Sequence, residues 1–212
     1  GIEKVYIGDG VTTIGKEAFS GCRDLEYVKL SGSLTEIDKS MFLNCKSLKS
    51  IEIPEGVKKI GTNAFAKSGL ESISLPESLT YIDDYAFMST KLKSIYIPDG
   101  VTRIGESAFD FCLHLEQVKL PSGLKVLERY TFSFCEDLRS IDIPEGVITI
   151  GESAFKDCDS LRYLRIPDSV VSINDDAFSG CDELELVVVG NGLRDVDSDA
   201  FDVEFYDASG NR

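Results

Sequence analysis

Histidine occurs once in these 212 residues, at His114, and no run of 18 apolar residues occurs anywhere. The second absence excludes a membrane-spanning apolar helix and direct membrane insertion. Bases are scarce too: 22 Lys and Arg stand against 37 Asp and Glu, giving a net charge of −15. Nucleic-acid binding depends on neutralising phosphates, so nucleic acids are excluded as partners, and anionic membrane surfaces with them. The opening Gly1-Ile2-Glu3-Lys4 lacks the charged-then-apolar order of a signal peptide. Any such segment is expected to lie outside these residues. What is present is apolar, 42% of the chain, enough for a packed domain rather than a disordered one.

The apolar residues recur. Phe19, Phe42, Phe65, Phe87, Phe109, Phe132, Phe155, Phe178 and Phe201 follow one another at intervals of 22 or 23 residues, and seven of the nine are preceded by Ala. Met41 and Thr131 replace that Ala in the other two. Residues 92–115 hold one whole unit. In it Ile95-Tyr96-Ile97 alternates like a strand, and Pro98 ends it. All six prolines (Pro54, Pro76, Pro98, Pro121, Pro144, Pro167) occupy this slot, where a missing N–H does least harm. Val101 and Ile104 point inward from a second extended or turning piece. Ala108, Phe109 and Cys112 fall at helical spacing, which predicts a short helical turn closing each coil.

One such unit cannot bury its own apolar edge, whereas stacked units share a continuous core. The spacing therefore predicts an α/β repeat: nine stacked coils in one domain over residues 1–212, with a parallel concave sheet on one side and short helical turns on the other. Residues 202–212 break the pattern and read as a C-terminal cap, with Val203 and Phe205 packed on the last coil. Residues 182–212 carry nine acids and two bases, which reads as solvation of that end.

The unit L-x-x-I-x-I-P-x-x-V-x-x-I-G-x-x-A-F resembles the BspA-like leucine-rich repeat. Leu48, Ile51, Ile53, Pro54, Val57, Ile60, Gly61, Ala64 and Phe65 carry the resemblance in one copy, and residues 138–161 carry it in another. The likeness covers essentially the whole chain. It implies a right-handed leucine-rich-repeat solenoid of the secreted or cell-surface type, whose members are mostly assigned to adhesion and to host or matrix contact. It carries no ligand residue, because the repeated positions are core.

Chemistry-bearing side chains are few. Cys22, Cys45, Cys112, Cys135, Cys158 and Cys181 each follow a marker Phe by three residues, forming one inward column. Adjacent coils bring their Cα atoms within bridging range, but parallel Cβ vectors suit neither a disulfide torsion nor a tetrahedral metal site. Free buried thiols are the expectation, with no metal and no cofactor. His114 cannot activate Cys112 if that thiol faces the core, so no enzyme is expected. Asp195-Val-Asp197-Ser-Asp199 begins like a calcium loop, but Ala200 and Tyr206 stand where Gly and Glu are required.

Binding residues are sought among exposed strand positions. One column reads Tyr6, Lys29, Glu52, Ser74, Tyr96, Lys119, Asp142, Arg165 and Val188; the next runs from Lys4 and Tyr27 to Tyr163 and Leu186; a third from Glu3 to Arg162 and Glu185. Alternating charges such as Lys119–Asp142–Arg165 stabilise a sheet without any ligand. Alternatively Tyr96, Tyr163, Arg162 and Arg165 anchor a partner, since Tyr and Arg are over-represented at hot spots. On the other side Phe111 and Phe134 occupy a slot held elsewhere by Gly21, Asn44, Asp157 and Gly180, and Tyr85 and Tyr130 are likewise unmatched. They either pack beneath a bend or form an exposed apolar patch. The expected function is a non-catalytic module binding a protein or glycan, with a passive spacer as the alternative.

Overall fold

In the computed structural model, which describes residues 1–202, strand-forming triplets alternate outward, inward, outward. Lys4–Tyr6, Tyr27–Lys29, Ser50–Glu52, Ser72–Ser74, Ser94–Tyr96, Gln117–Lys119, Ser140–Asp142, Tyr163–Ile166 and Leu186–Val189 line one side of the stack. Their central residues face inward, buried at Ile51, Ile95 and Ile141 and partly buried at Val5, Ile73 and Val118. The proline after six of these strands accepts a turn-closing bond, as from Val101 N to Pro98 O at 3.0 Å, and the chain then enters a second strand of two residues. Eight of these occur, from Glu36–Ile37 to Asp195–Val196.

All pairings are parallel and follow the register expected from the repeat: Tyr6 faces Lys29, Tyr96 faces Lys119, and Asp142 faces Arg165. The stack has two strand ladders rather than one. The first is interrupted three times, with no registered pairing between Tyr27–Lys29 and Ser50–Glu52, between Ser72–Ser74 and Ser94–Tyr96, or between Gln117–Lys119 and Ser140–Asp142; the second breaks once, between Arg103–Ile104 and Val126–Leu127. Close stacking explains the glycine after three of the eight second strands, at Gly61, Gly105 and Gly151. A Cβ at Gly105 would lie 2.4 Å from the backbone nitrogen of Asp84 in the previous coil.

The architecture is a parallel-strand β-solenoid of about eight turns. Nine phenylalanines bound eight complete intervals, and the first coil, open on one side, has no second strand. The expected helical turns are absent: no helix forms among the described residues. Each coil is closed instead by successive tight turns in which two residues take left-handed backbone, for example Tyr85 (φ 60°) and Ser89 (φ 55°) around Ala86-Phe87-Met88. The physical reason lies in the hydrogen bonds. Ala86 N donates within its own turn, to Asp83 O at 3.3 Å, whereas Phe87 N donates to Ala108 O of the next coil at 2.8 Å. A helix would spend every N–H internally; this alternation gives half of them to the neighbour.

The core sits between the two ladders and the turns. Phe42, Phe65, Phe87, Phe109, Phe132 and Phe155 are wholly buried. Their rings stack coil on coil with centroids 5.2–5.5 Å apart and planes within 14° of parallel. Phe19 is only partly buried, as the end of the column, while Phe178 and Phe201 close the other end at 4.7 Å. The expected cap beyond Asp202 lies outside the described residues.

Candidate functional site

The inward columns present no exposed nucleophile. All six cysteines are free thiols, five buried and Cys22 half-buried at the first coil. Cys45, Cys112, Cys135, Cys158 and Cys181 each donate to the carbonyl of the marker Phe one coil back, at 3.1–3.4 Å. Burial pushes the Cys45 and Cys181 thiols up to about 12 and Cys112 to about 11, and raises Cys135 and Cys158 as well. These thiols stay protonated, the opposite of what nucleophilic catalysis requires. His114 is exposed and pairs with Asp137 at 3.2 Å, while the Cys112 thiol meets Thr90 and the Phe87 carbonyl. Asp195–Val196 forms the last short strand, paired with Ser172–Ile173.

One buried group was not singled out by the repeat. Asp110 follows a marker Phe, where other coils carry Ser20, Leu43, Ala66, Met88, Ser133, Lys156, Ser179 and Asp202. It is 8% exposed, its Oδ1 has no hydrogen-bond partner, and burial pushes its carboxyl up to about 6. A carboxylate in a slot held by Leu43, Ala66 and Met88 in the preceding coils was the available signal.

The strand side is where exposed aromatic surface collects. Tyr96 and Tyr163 are 52% and 44% exposed, as strand alternation requires. Tyr6 (70%) and Tyr27 lie on the same side with ring centroids 5.5 Å apart. Tyr27 borders a depression of about 440 Å³ at the first interruption of the ladder, lined also by Lys29, Glu52 and Pro54. Tyr6 and Tyr27 stood in the exposed columns of the repeat, but their mutual contact came only with the fold.

The two arginines proposed as anchors are tied within the chain. Arg162 donates to Glu183 through Nε at 2.9 Å and Nη2 at 2.8 Å. Arg165 donates to Glu145 at 2.7 Å rather than to Asp142. Both lie beside Tyr163, so this part of the face carries fixed charge next to an exposed ring. Lys49–Glu71 (3.6 Å) and Arg139–Glu116 (3.8 Å) continue the pairing.

Across the coil, Phe111 and Phe134 stack at 4.4 Å with planes 8° apart. Phe111 is 41% exposed and the neighbouring Leu113 36% exposed; Phe134 is half-buried. Both phenylalanines have left-handed backbone, φ 57° and 55°, a conformation that bulky residues rarely adopt. That explains why the same slot holds Gly21, Asn44 and Gly180 elsewhere. Tyr85 and Tyr130 take the other left-handed slot, and Tyr130 donates to Glu152 at 2.9 Å. These aromatics sit in the tight turns, Phe111 exposed and Phe134, Tyr85 and Tyr130 half-buried.

A family model described as the BspA type leucine-rich repeat region matches residues 1–115 and 102–204, in six copies. A leucine-rich repeat protein from Bacteroides ovatus is 30% identical over 99% of this chain, with a TM-score of 0.71, and this chain spans 62% of that protein's length. A leucine-rich cell surface protein from Faecalibacterium prausnitzii is 26% identical over 96% of this chain and 80% of its own, with a TM-score of 0.50. The pneumococcal vaccine antigen PcpA, 19% identical over 96% of this chain and 61% of its own, shares the fold at a TM-score of 0.57. No curated protein matches the sequence.

Proposed function

Because the chain belongs to the BspA-type leucine-rich-repeat family, we propose that it is a non-catalytic binding module of a secreted or cell-surface protein, recognising a protein or glycan through the strand side of the solenoid. The observation that carries this reading is the set of Tyr6, Tyr27, Tyr96 and Tyr163, all exposed on one side of a stack whose other large aromatics are mostly core. A passive spacer would be polar along its whole length. Tyrosine offers wide contact area at low entropic cost and a hydroxyl for partner polar groups. Arg162 and Arg165, held by Glu183 and Glu145, add guanidinium groups that are already positioned when a partner arrives. The surface setting is supported by the Faecalibacterium relative, itself described as a cell surface protein. The non-catalytic reading is supported by thiols held protonated and by a histidine engaged with Asp137 on the surface.

The test is saturable binding of the chain to panels of immobilised matrix proteins and of soluble glycans. The expected result is binding to one class that falls at least about tenfold, roughly 1.4 kcal/mol, in a Tyr96→Ser/Tyr163→Ser variant whose melting is unchanged. Absence of binding to both panels favours the spacer.

A further inference from the structure

At the corner between the tight turns and the strand side, charge is segregated along the stack. The residue after the inward thiol slot is Arg23, Lys46, Gly69 and Lys91 in the four coils before Leu113, and Glu136, Asp159 and Asp182 in coils after it. All six charged side chains are exposed. Backbone bonds from Ser47 N to Arg23 O, Asp137 N to Leu113 O, and Glu183 N to Asp159 O join neighbouring full-length coils along this edge, and in the shorter coils Gly69 N donates to Cys45 O and Lys91 N to Leu70 O. The adjacent row repeats the order, with Lys67 before the Phe111–Phe134 stack and Asp157 after it.

Among the described residues none of Arg23, Lys46, Lys67, Lys91, Glu136, Asp157, Asp159 and Asp182 forms an ion pair. On the strand side several charges are paired within the chain, as Lys49 with Glu71 and Arg165 with Glu145. Asp159 shows the result of unbalanced charge: burial first, and then repulsion from Asp157, Asp182 and Glu183, raises its carboxyl above the ordinary range. The apolar centre of the corner is exposed and is built at a backbone cost, since Phe111 and Phe134 occupy left-handed positions where glycine or asparagine fits freely.

We propose that this corner is a self-complementary interface that pairs two copies of the chain antiparallel about a two-fold axis at Phe111 and Leu113. Such an axis sends each row onto the same row of the other copy with coil order reversed. Lys91, one coil before Leu113, then faces Glu136, one coil after it. Lys67, two coils before, faces Asp157, two coils after. Lys46, three before, faces Asp182, three after. Phe111 and Leu113 meet their own counterparts at the centre. This is the geometry of an isologous contact, in which residue i meets j and j meets i. An apolar centre flanked by matching charges also excludes the parallel arrangement, which sets base against base. The strand side remains free for another partner.

Sedimentation of the chain over a range of concentration and salt tests the proposal. The chain is expected to pass from monomer to dimer with rising concentration and to dissociate as salt screens the charges. Lys91→Glu and Glu136→Lys, each placing like charges together twice per dimer, should each weaken association at least about tenfold, roughly 1.4 kcal/mol. The double variant restores opposite charges and should recover the dimer. Phe111→Asn, compatible with the same backbone as Asn44, should weaken association while leaving melting essentially unchanged. A chain that stays monomeric throughout, single swaps without effect, or a double swap that fails to recover association would each overturn the proposal.

Discussion

The Cys158 thiol donates to the carbonyl oxygen of Phe132, one coil earlier, at 3.2 Å. That carbonyl already accepts from Cys135 N at 3.2 Å, so the thiol occupies its second lone pair. Cysteine in this column is thus a small apolar filler that also satisfies a buried acceptor.

Five thiols should therefore resist a thiol reagent in the folded chain, with Cys22 alone reacting, and all six should react after unfolding without reductant. Fewer than six after unfolding would reveal a disulfide. A folded-state pKa raised above the ordinary 9.0, as at Cys45 (about 12), contributes stability that is complete below the unfolded value and lost as pH rises through the folded one. The melting temperature is accordingly expected to fall between about pH 9 and pH 12, and to fall less in a Cys45→Ala variant.

Asp110 behaves in the same direction with a different consequence. Its folded carboxyl titrates at about 6 against an ordinary 3.8, so the stabilising, protonated state is complete below 3.8 and lost as pH rises through about 6. At neutral pH a buried carboxylate oxygen is left without a partner. Asp110→Ser, copying Ser133 one coil on, is expected to raise stability by about 1–3 kcal/mol near pH 7. The gain should shrink near pH 4. Urea unfolding at both pH values measures it, and an unchanged midpoint at neutral pH would contradict the argument.

Asn63 has φ 57°, and its substitution distinguishes tight turns from a helix. Asn63→Gly should leave stability level or slightly higher, whereas Asn63→Val should cost about 1–2 kcal/mol. In a helix the order would invert, because glycine is the worse helix former.

Arg165 and Glu145 make a close pair at 2.7 Å, but their side chains are 50% and 60% exposed. Arg165→Ala is expected to change unfolding free energy by at most about 1 kcal/mol. A larger loss would mean that the pair holds the strand side together rather than decorating it.

The sequence alone determined the period, the columns and the register, because a stack places residue i beside residue i+22 or i+23 and the apolar pattern names which of them face inward. Burial of Phe65, Cys112, Leu115 and Ile150, and the pairing of Asp142 with Arg165 across strands, follow from that pattern. It could not decide how each coil closes. Ala-Phe-x-x-Cys spacing suits one turn of helix as well as a run of tight turns, since both bring the same side chains to one face. The choice turned on backbone N–H groups, such as Phe87 N reaching Ala108 O, whose acceptors exist only once the next coil is in place. Gly21, Asn44 and Gly180 hinted at left-handed backbone in one slot and Asn63 in the other, yet Phe111 and Phe134 in the first and Tyr85 and Tyr130 in the second masked the hint. Charge partners escaped for a related reason. Opposition across strands pointed Arg165 at Asp142, but its long side chain reaches Glu145 in the turn of the preceding coil, a distance set by three-dimensional packing rather than by repeat arithmetic.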